Sequence, residues 1–399
     1  MSAAGFPSWV LLEPFVFRRD DDESFPDESE APIRATGTTS CHATFHIAFS
    51  LAEPPRISRL YAQLPVPGFL DRRTPRRLTV QNFFIFTADE NRSSSLKALP
   101  PCTEPDMDYT RHNDQLPPRH RRRRATPRLL DVGALGLWCQ GDEFVVAEMI
   151  AYKPPHRGKA FAAICLLRSC CTSSDGDQLG GMWESMRVKF ISADDPEADD
   201  LWQICCWYTD AIIPFRQWLC WIDYQRGIIV FCDMSKLPTP TVSYIWLPLD
   251  KMPVASSRMG ASSFYYRAVS VVDHGRALKF INVTRHDGIF FAALEPGTGF
   301  TITCHTLVLG DGSMGWKEDY TVTSGAHFLF IEFGYANKKM WVVTIDMSTK
   351  IVESFSLFIN GREGLQTDDA ELIRLKSATP KPFLPCEFPK FRSSIYQGT

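Results

Sequence analysis

The sequence predicts an all-β fold, β-propeller-like with about six blades and few short helices; two packed β-sandwich domains are the alternative arrangement of the same strands. Three observations point there. Short runs of β-branched and aromatic residues, punctuated by turn residues, recur from end to end. Helical periodicity is nearly absent: Thr367 to Leu375 is the best helix candidate, with Thr367 as its cap and Asp368, Asp369 and Glu371 in its first turn. Finally, Val230-Phe-Cys-Asp-Met-Ser-Lys echoes Thr344-Ile-Asp-Met-Ser-Thr-Lys. Each ends a strand on Asp-Met-Ser, and the interval between Asp233 and Asp346 fits repeats of blade length.

In chain order, strands are expected over 9–17, 43–49, 78–86, 143–152, 161–167 and 182–191. After a central segment, they continue over 264–272, 278–283, 289–294, 300–309, 320–323, 327–332, 340–346 and 351–358. Two stretches read as insertions within a single domain spanning 1–399. Residues 18–36 carry an acidic cluster (Asp20, Asp21, Asp22, Glu23, Asp27, Glu28, Glu30) and are expected to form a solvated loop. Residues 88–127, rich in Pro, Ser, Arg and Asp, are expected to be disordered.

The central segment, Trp218 to Pro248, is the densest signal. Trp218, Cys220, Ile222 and Tyr224 alternate with Leu219, Trp221 and Asp223, so both faces of the strand are almost wholly apolar and both must be covered. Gly227 sits where a short hairpin loop needs positive φ, and Ile228 to Phe231 forms the return strand. Asp233 opens the next loop, its carboxylate placed to accept backbone N–H bonds, and Tyr244-Ile-Trp-Leu-Pro forms a third strand.

At 399 residues, 44% hydrophobic and 12% aromatic, the chain can bury a substantial core. A net charge of -3 gives no global case for nucleic acid. No apolar run reaches the roughly 18 residues of a membrane span, and no basic-then-apolar leader precedes the first strand, so neither membrane nor secretion is expected. The 12 cysteines include no Cys-x-x-Cys pair, and Cys170-Cys171 and Cys205-Cys206 are adjacent and chelate poorly. They read as reduced thiols of a cytoplasmic or nuclear protein, which leaves the sequons at Asn91 and Asn282 without weight.

Candidate chemistry is sparse. Arg119, Arg121, Arg122, Arg123 and Arg124 form a basic run suited to nuclear import or a polyanion contact, or to a solvated loop. Gly310-Asp-Gly-Ser-Met-Gly315 matches the letters of a dinucleotide fingerprint but is followed by a strand-like run, so the helix N-terminus that would bind pyrophosphate is missing. His42 and His46 share a strand face but stand about 13 Å apart along it, too far for one zinc. Cys304-His305 supplies only two adjacent ligands. No metal or cofactor is expected. Asp223, the lone charge in its strand, is a candidate acid, or else a brace for the turn at Arg226 and Gly227.

These residues carry a resemblance. Pro7-Ser-Trp-Val-Leu-Leu, Trp221-Ile-Asp-Tyr-Gln-Arg-Gly-Ile-Ile, Cys232-Asp233, Tyr244-Ile-Trp-Leu-Pro, Arg267-Ala-Val-Ser-Val, Lys279-Phe-Ile, Trp316-Lys and Cys386-Glu-Phe-Pro-Lys follow one another in this order. The chain thereby resembles the plant family, expanded in grasses, called domain of unknown function 1618, most closely over 218–399. Its departures are Cys220 where a glycine is usual, Gln225 where an aromatic is common, and the Arg-rich insertion. The family implies no activity, cofactor or catalytic residue. Trp221, Asp223, Arg226, Gly227, Cys232 and Asp233 are therefore read as a structural motif. The Asp-turn-strand rhythm is also similar to that of F-box-associated propellers, without room for an F-box before the first strand.

The function expected is a non-enzymatic scaffold whose loops hold a protein partner, with no nucleic acid or membrane. The rival is a hydrolase-type site at the propeller mouth, built from carboxylates and histidines distant in sequence.

Overall fold

The computed structural model describes residues 9–19, 21–39, 42–52, 57–63, 81–87, 95–103, 128–140, 143–152, 160–169, 182–192, 207–249, 266–273, 275–287, 299–310, 313–323, 340–346, 351–359 and 384–387. These residues form an all-β fold, as the patterning predicts. The first strands are β1 (Trp9–Arg19), β2 (Ile33–Thr38), β3 (Thr44–Ser50), β4 (Ile57–Gln63), β5 (Phe84–Thr87) and β6 (Ser95–Ala98). Next come β7 (Leu135–Gln140), β8 (Glu143–Tyr152), β9 (Phe161–Arg168) and β10 (Trp183–Ser192). They are followed by β11 (Ala211–Phe215), β12 (Trp218–Asp223), β13 (Ile228–Asp233) and β14 (Val242–Trp246). The remainder are β15 (Arg267–Val272), β16 (Ala277–Arg285), β17 (Phe300–Leu309), β18 (Met314–Thr323), β19 (Met340–Asp346), β20 (Ile351–Ile359) and β21 (Leu384–Glu387).

Three antiparallel meanders, β7–β10, β11–β14 and β15–β18, dominate the described residues. They stack face to face in chain order, which is propeller-like packing. One face of β11–β14 meets β15–β18 through Phe215, Cys220, Ile222, Phe231, Val269, Leu278, Phe280 and Leu307. Its other face meets β7–β10 through Trp221, Val230, Tyr244, Met149, Ile164 and Leu166. Strands β12 and β13, covered on both sides, are buried almost throughout, as their apolar faces require.

Two of these meanders depart from independent blades. Residues Phe190–Ser192 of β10 pair in parallel with Val242–Tyr244 of β14, joining eight strands in the order β11-β12-β13-β14-β10-β9-β8-β7. The sheet then curls until its edges nearly meet. At that seam Trp138 Nε1 of β7 donates to Arg216 O, 2.8 Å away, beside β11. Alanines 147, 151, 160 and 162 leave the interior room that Trp138 and Trp221 fill. Gly136 marks the closest approach: a Cβ there would stand 2.5 Å from Ile212 Cγ2 and 2.9 Å from Leu219 Cδ2. Gly136→Ala is therefore expected to overpack the seam and cost about 1–3 kcal/mol, read as a lower denaturant midpoint at unchanged slope. A midpoint equal to the parent's would show that the seam is looser than described.

In a further sheet, β2, β3 and β4 are antiparallel, β1 lies parallel to β4, and β21 pairs with β1. The small β5–β6 hairpin sits between the neighbouring sheets. Phe84, Phe86 and Leu96 pack on Phe45, Ile47 and Ala62, while Phe83 and Ile85 pack against Val146, Leu167 and Trp183.

The acidic stretch 18–36 is shorter as a loop than expected, because β1 continues to Arg19 and Ile33 starts β2, with Ala31 and Ile33 buried. Between them Asp21 accepts from Ser24 N at 2.8 Å, and Asp27 accepts from Ser29 N at 2.8 Å and Glu30 N at 3.0 Å. The stretch 88–127 likewise contains β6, and Pro100 O accepts from Trp183 Nε1 at 2.8 Å, so residues 95–103 within it are ordered. The rest of that stretch, including Arg119 to Arg124, lies outside the described residues. So do the helix candidate 367–375 and the expected strands 289–294 and 327–332.

Candidate functional site

Charge concentrates where the β12–β13 hairpin tip meets β15. Residues Asp223 to Gly227 make the turn: Gly227 N donates to Asp223 O at 2.9 Å, and Gly227 takes φ 69°. A Cβ at Gly227 would also meet Leu249 Cδ1 at 2.6 Å, so the position excludes side chains on two grounds.

Asp223 is fully buried and fully engaged. Its Oδ1 accepts from Arg226 N at 2.8 Å, and its Oδ2 accepts from Arg226 Nη1 at 2.9 Å and from Tyr208 N at 3.1 Å. The carboxylate thus holds its own turn and the strand-entry segment before β11. Buried charge demands such partners, since an unpaired carboxylate at this depth would carry its full desolvation cost.

A second carboxylate joins it. Asp210 Oδ2 accepts from Tyr224 N at 2.7 Å, while Asp210 N donates to Ile222 O. Burial, and then the neighbouring Asp223 charge, push its pKa up to about 6 against the pull of the Tyr224 and Gln225 amides and Arg226. Arg267, at the start of β15, donates to Tyr224 O. Burial weakens the proton affinity of Arg267, and Asp210 and Asp223 oppose that loss. The Tyr224 hydroxyl accepts from Val269 N at 2.8 Å, and burial holds its proton more tightly than usual. Two acids, two guanidinium groups and a tyrosine therefore bind adjacent sheets.

The other motif residues fall elsewhere. Trp221 is fully buried and its Nε1 donates to Ala134 O at 2.8 Å, across to the segment before β7. Cys232 is buried, its thiol pKa pushed up to about 12 by burial and then by Asp233. Asp233 caps the 3-10 turn Met234–Lys236 at the opposite end of the hairpin, accepting from Ser235 N at 3.1 Å and Ser235 Oγ at 2.6 Å. Lys236 Nζ stands 3.4 Å from its other oxygen.

Residues 221–352 match the family model described as Protein of unknown function (DUF1618). The DUF1618 match begins on Trp221 and takes in the hairpin tip, Arg267 and all of β15–β18. No curated protein and no solved structure matches the chain.

Asp210 and Asp223 lie apart in sequence yet meet, but around a hairpin turn rather than a cavity. The run Gly310 to Gly315 lies where antiparallel strands β17 and β18 meet, with Gly310 N donating to Ser313 O and Gly315 already within β18. His46 Nδ1 pairs with Thr36 Oγ1 at 2.9 Å, and His42 sits at φ 61° outside β3. Among the described residues no three His, Cys, Asp or Glu side chains gather as a metal site.

One buried ion pair escaped the sequence reading. Arg128 pairs with Glu148, and Glu148 Oε1 accepts from Asp131 N at 2.6 Å. The available signal is Glu148 itself, a charge in the apolar middle of strand β8.

Proposed function

We propose that the chain is a non-enzymatic protein-interaction scaffold of the cytoplasm or nucleus, with apolar side chains on a rigid turn serving as the contact for a protein partner. The observation that supports this is the presentation of Val132. Residues Val132–Ala134 form a 3-10 turn capped by Asp131, whose carboxylate accepts from Gly133 N at 2.9 Å. Glu148 and the Trp221 indole hold the turn from either end. On this braced mount Val132 is 66% exposed, with Leu129 at 52% and Leu137 at 41% nearby in the chain. Exposed apolar groups on a stiff support lose little conformational freedom on docking, which favours association.

The test is affinity capture with the intact chain and with Val132→Asp/Leu137→Asp. A partner recovered by the parent and lost by the variant, at a melting temperature within a degree or two of the parent's, is the expected result. Identical recoveries from both would overturn the reading.

The raised proton affinity of Asp210 favours a second reading, a hydrolase-type site using the Asp210 and Asp223 pair. Against it, the Asp223 carboxylate and the Asp210 Oδ2 atom are already occupied by amides and a guanidinium of the same hairpin and its flanking segment.

A further inference from the structure

We propose that Cys102 and Cys165 are a reversible disulfide-forming pair that closes when the chain meets a hydroperoxide. Their sulfurs lie 3.6 Å apart, both residues are buried, and they come from separate parts of the chain. Closing the bond requires an approach of about 1.5 Å. The contact is held from both sides. Cys165 lies within β9, while the Cys102 segment is fixed by Arg128 N donating to Cys102 O at 2.7 Å and Trp183 Nε1 donating to Pro100 O.

The surroundings place polar groups beside Cys165 while keeping it buried. Cys165 is flanked across the sheet by Glu148 on β8 and Ser185 on β10, and Arg128 lines the same narrow crevice. The Ser185 hydroxyl, opposite Cys165 across the sheet, is buried without a nitrogen or oxygen partner among the described residues. The contact with Cys102 and burial hold the Cys165 thiol protonated, with Ser185 and Arg128 acting against that rise. The pair is therefore expected to react slowly compared with exposed sensor thiols.

The balanced route has two steps. The Cys165 sulfur, giving up its proton, attacks the peroxide O–O bond; a sulfur–oxygen bond forms, and the displaced alkoxide or hydroxide takes a proton to leave as alcohol or water. The sulfenic hydroxyl so formed can accept from Arg128 and Ser185. The Cys102 sulfur then attacks Cys165 Sγ, the S–S bond forms, the S–O bond breaks, and hydroxide leaves with the Cys102 proton as water. Two thiols have lost two electrons, and the peroxide has gained them. The bond ties the segment after β6 to the eight-stranded sheet and encloses the chain stretch that carries Arg119 to Arg124.

The experiment treats the reduced full chain with hydrogen peroxide, alkylates it in denaturant and maps the peptides. A Cys102–Cys165 linked peptide that vanishes with dithiothreitol is expected, while Cys220, buried in the adjacent core, stays alkylatable. Ser185→Ala should form the link several-fold more slowly, and Cys165→Ala should leave Cys102 alkylatable. Both thiols remaining alkylatable in excess peroxide, or being found singly over-oxidised or joined to other cysteines, would overturn the proposal. The parent chain alone decides this, whether or not the variants fold.

Discussion

Trp221→Ala is expected to remove about 3–5 kcal/mol of folding stability, a large part of what a protein of this kind possesses. The indole is fully buried in the core shared by β7–β10 and β11–β14, so its loss leaves a cavity bounded by the two halves of the curled eight-stranded sheet, which cannot both collapse onto it. The Ala134 carbonyl would also lose the indole N–H it accepts, loosening the turn that presents Val132. Trp221→Phe keeps most of the volume and forfeits the hydrogen bond, so it should fall between the parent and alanine. Tyr208→Ala, at a side chain 60% exposed, is the control and should change stability by less than about 0.5 kcal/mol. Denaturant titration separates the three. A Trp221→Ala midpoint as high as the control's would mean that this tryptophan does not hold the two meanders together.

The contrast between Trp221 and Asp210 shows what the sequence could convey. Strands β8, β9, β12, β13 and β17 are legible because each is a long apolar or alternating run whose partner is close in sequence. Strand β11 is hard to read because Pro214 lies inside it; the proline is tolerated because β11 is an edge of the eight-stranded sheet. Strand β7 is hard to read because Gly136 looks like a breaker, whereas the seam demands a residue without a side chain. With β11 unread, nothing placed Asp210 beside the hairpin tip, since that contact depends on the register of Ala211 against Ile222. Asp223 was visible as a lone charge in an apolar strand. Its partners Tyr208 and Arg226 emerge only once the segment before β11 and the turn are folded. The parallel pairing of β10 with β14 carries no local signature at all, because neither strand announces which edge it will meet.

The network at the hairpin tip also makes stability depend on pH in a direction opposite to ordinary carboxylates. Asp210 has a folded pKa of about 6 against the ordinary carboxyl value of 3.8, so between those values the folded chain binds more protons than the unfolded one. Stability from this group is present in full below about 3.8 and is lost progressively as pH rises from there through about 6, by roughly 3 kcal/mol in all. Exposed turn carboxylates such as Asp21 and Asp27 have lowered pKa values and act oppositely, losing their contribution as pH falls through the acid range. The clean measurement is therefore the difference between the parent and Asp210→Asn from pH 5 to 8. Asparagine keeps a carbonyl oxygen for the Tyr224 amide but carries no charge. The variant should gain on the parent by roughly 1–1.5 kcal/mol across this range, the larger part of the loss falling below pH 5, with the change nearly complete by pH 7. Asp223→Asn removes the second cause of the shift and leaves Arg226 without its carboxylate. It should lower overall stability while moving the Asp210 transition to lower pH. A parent-minus-variant difference that stays flat with pH would show that Asp210 ionises freely, and that the hairpin tip is open to water rather than sealed between β11–β14 and β15–β18.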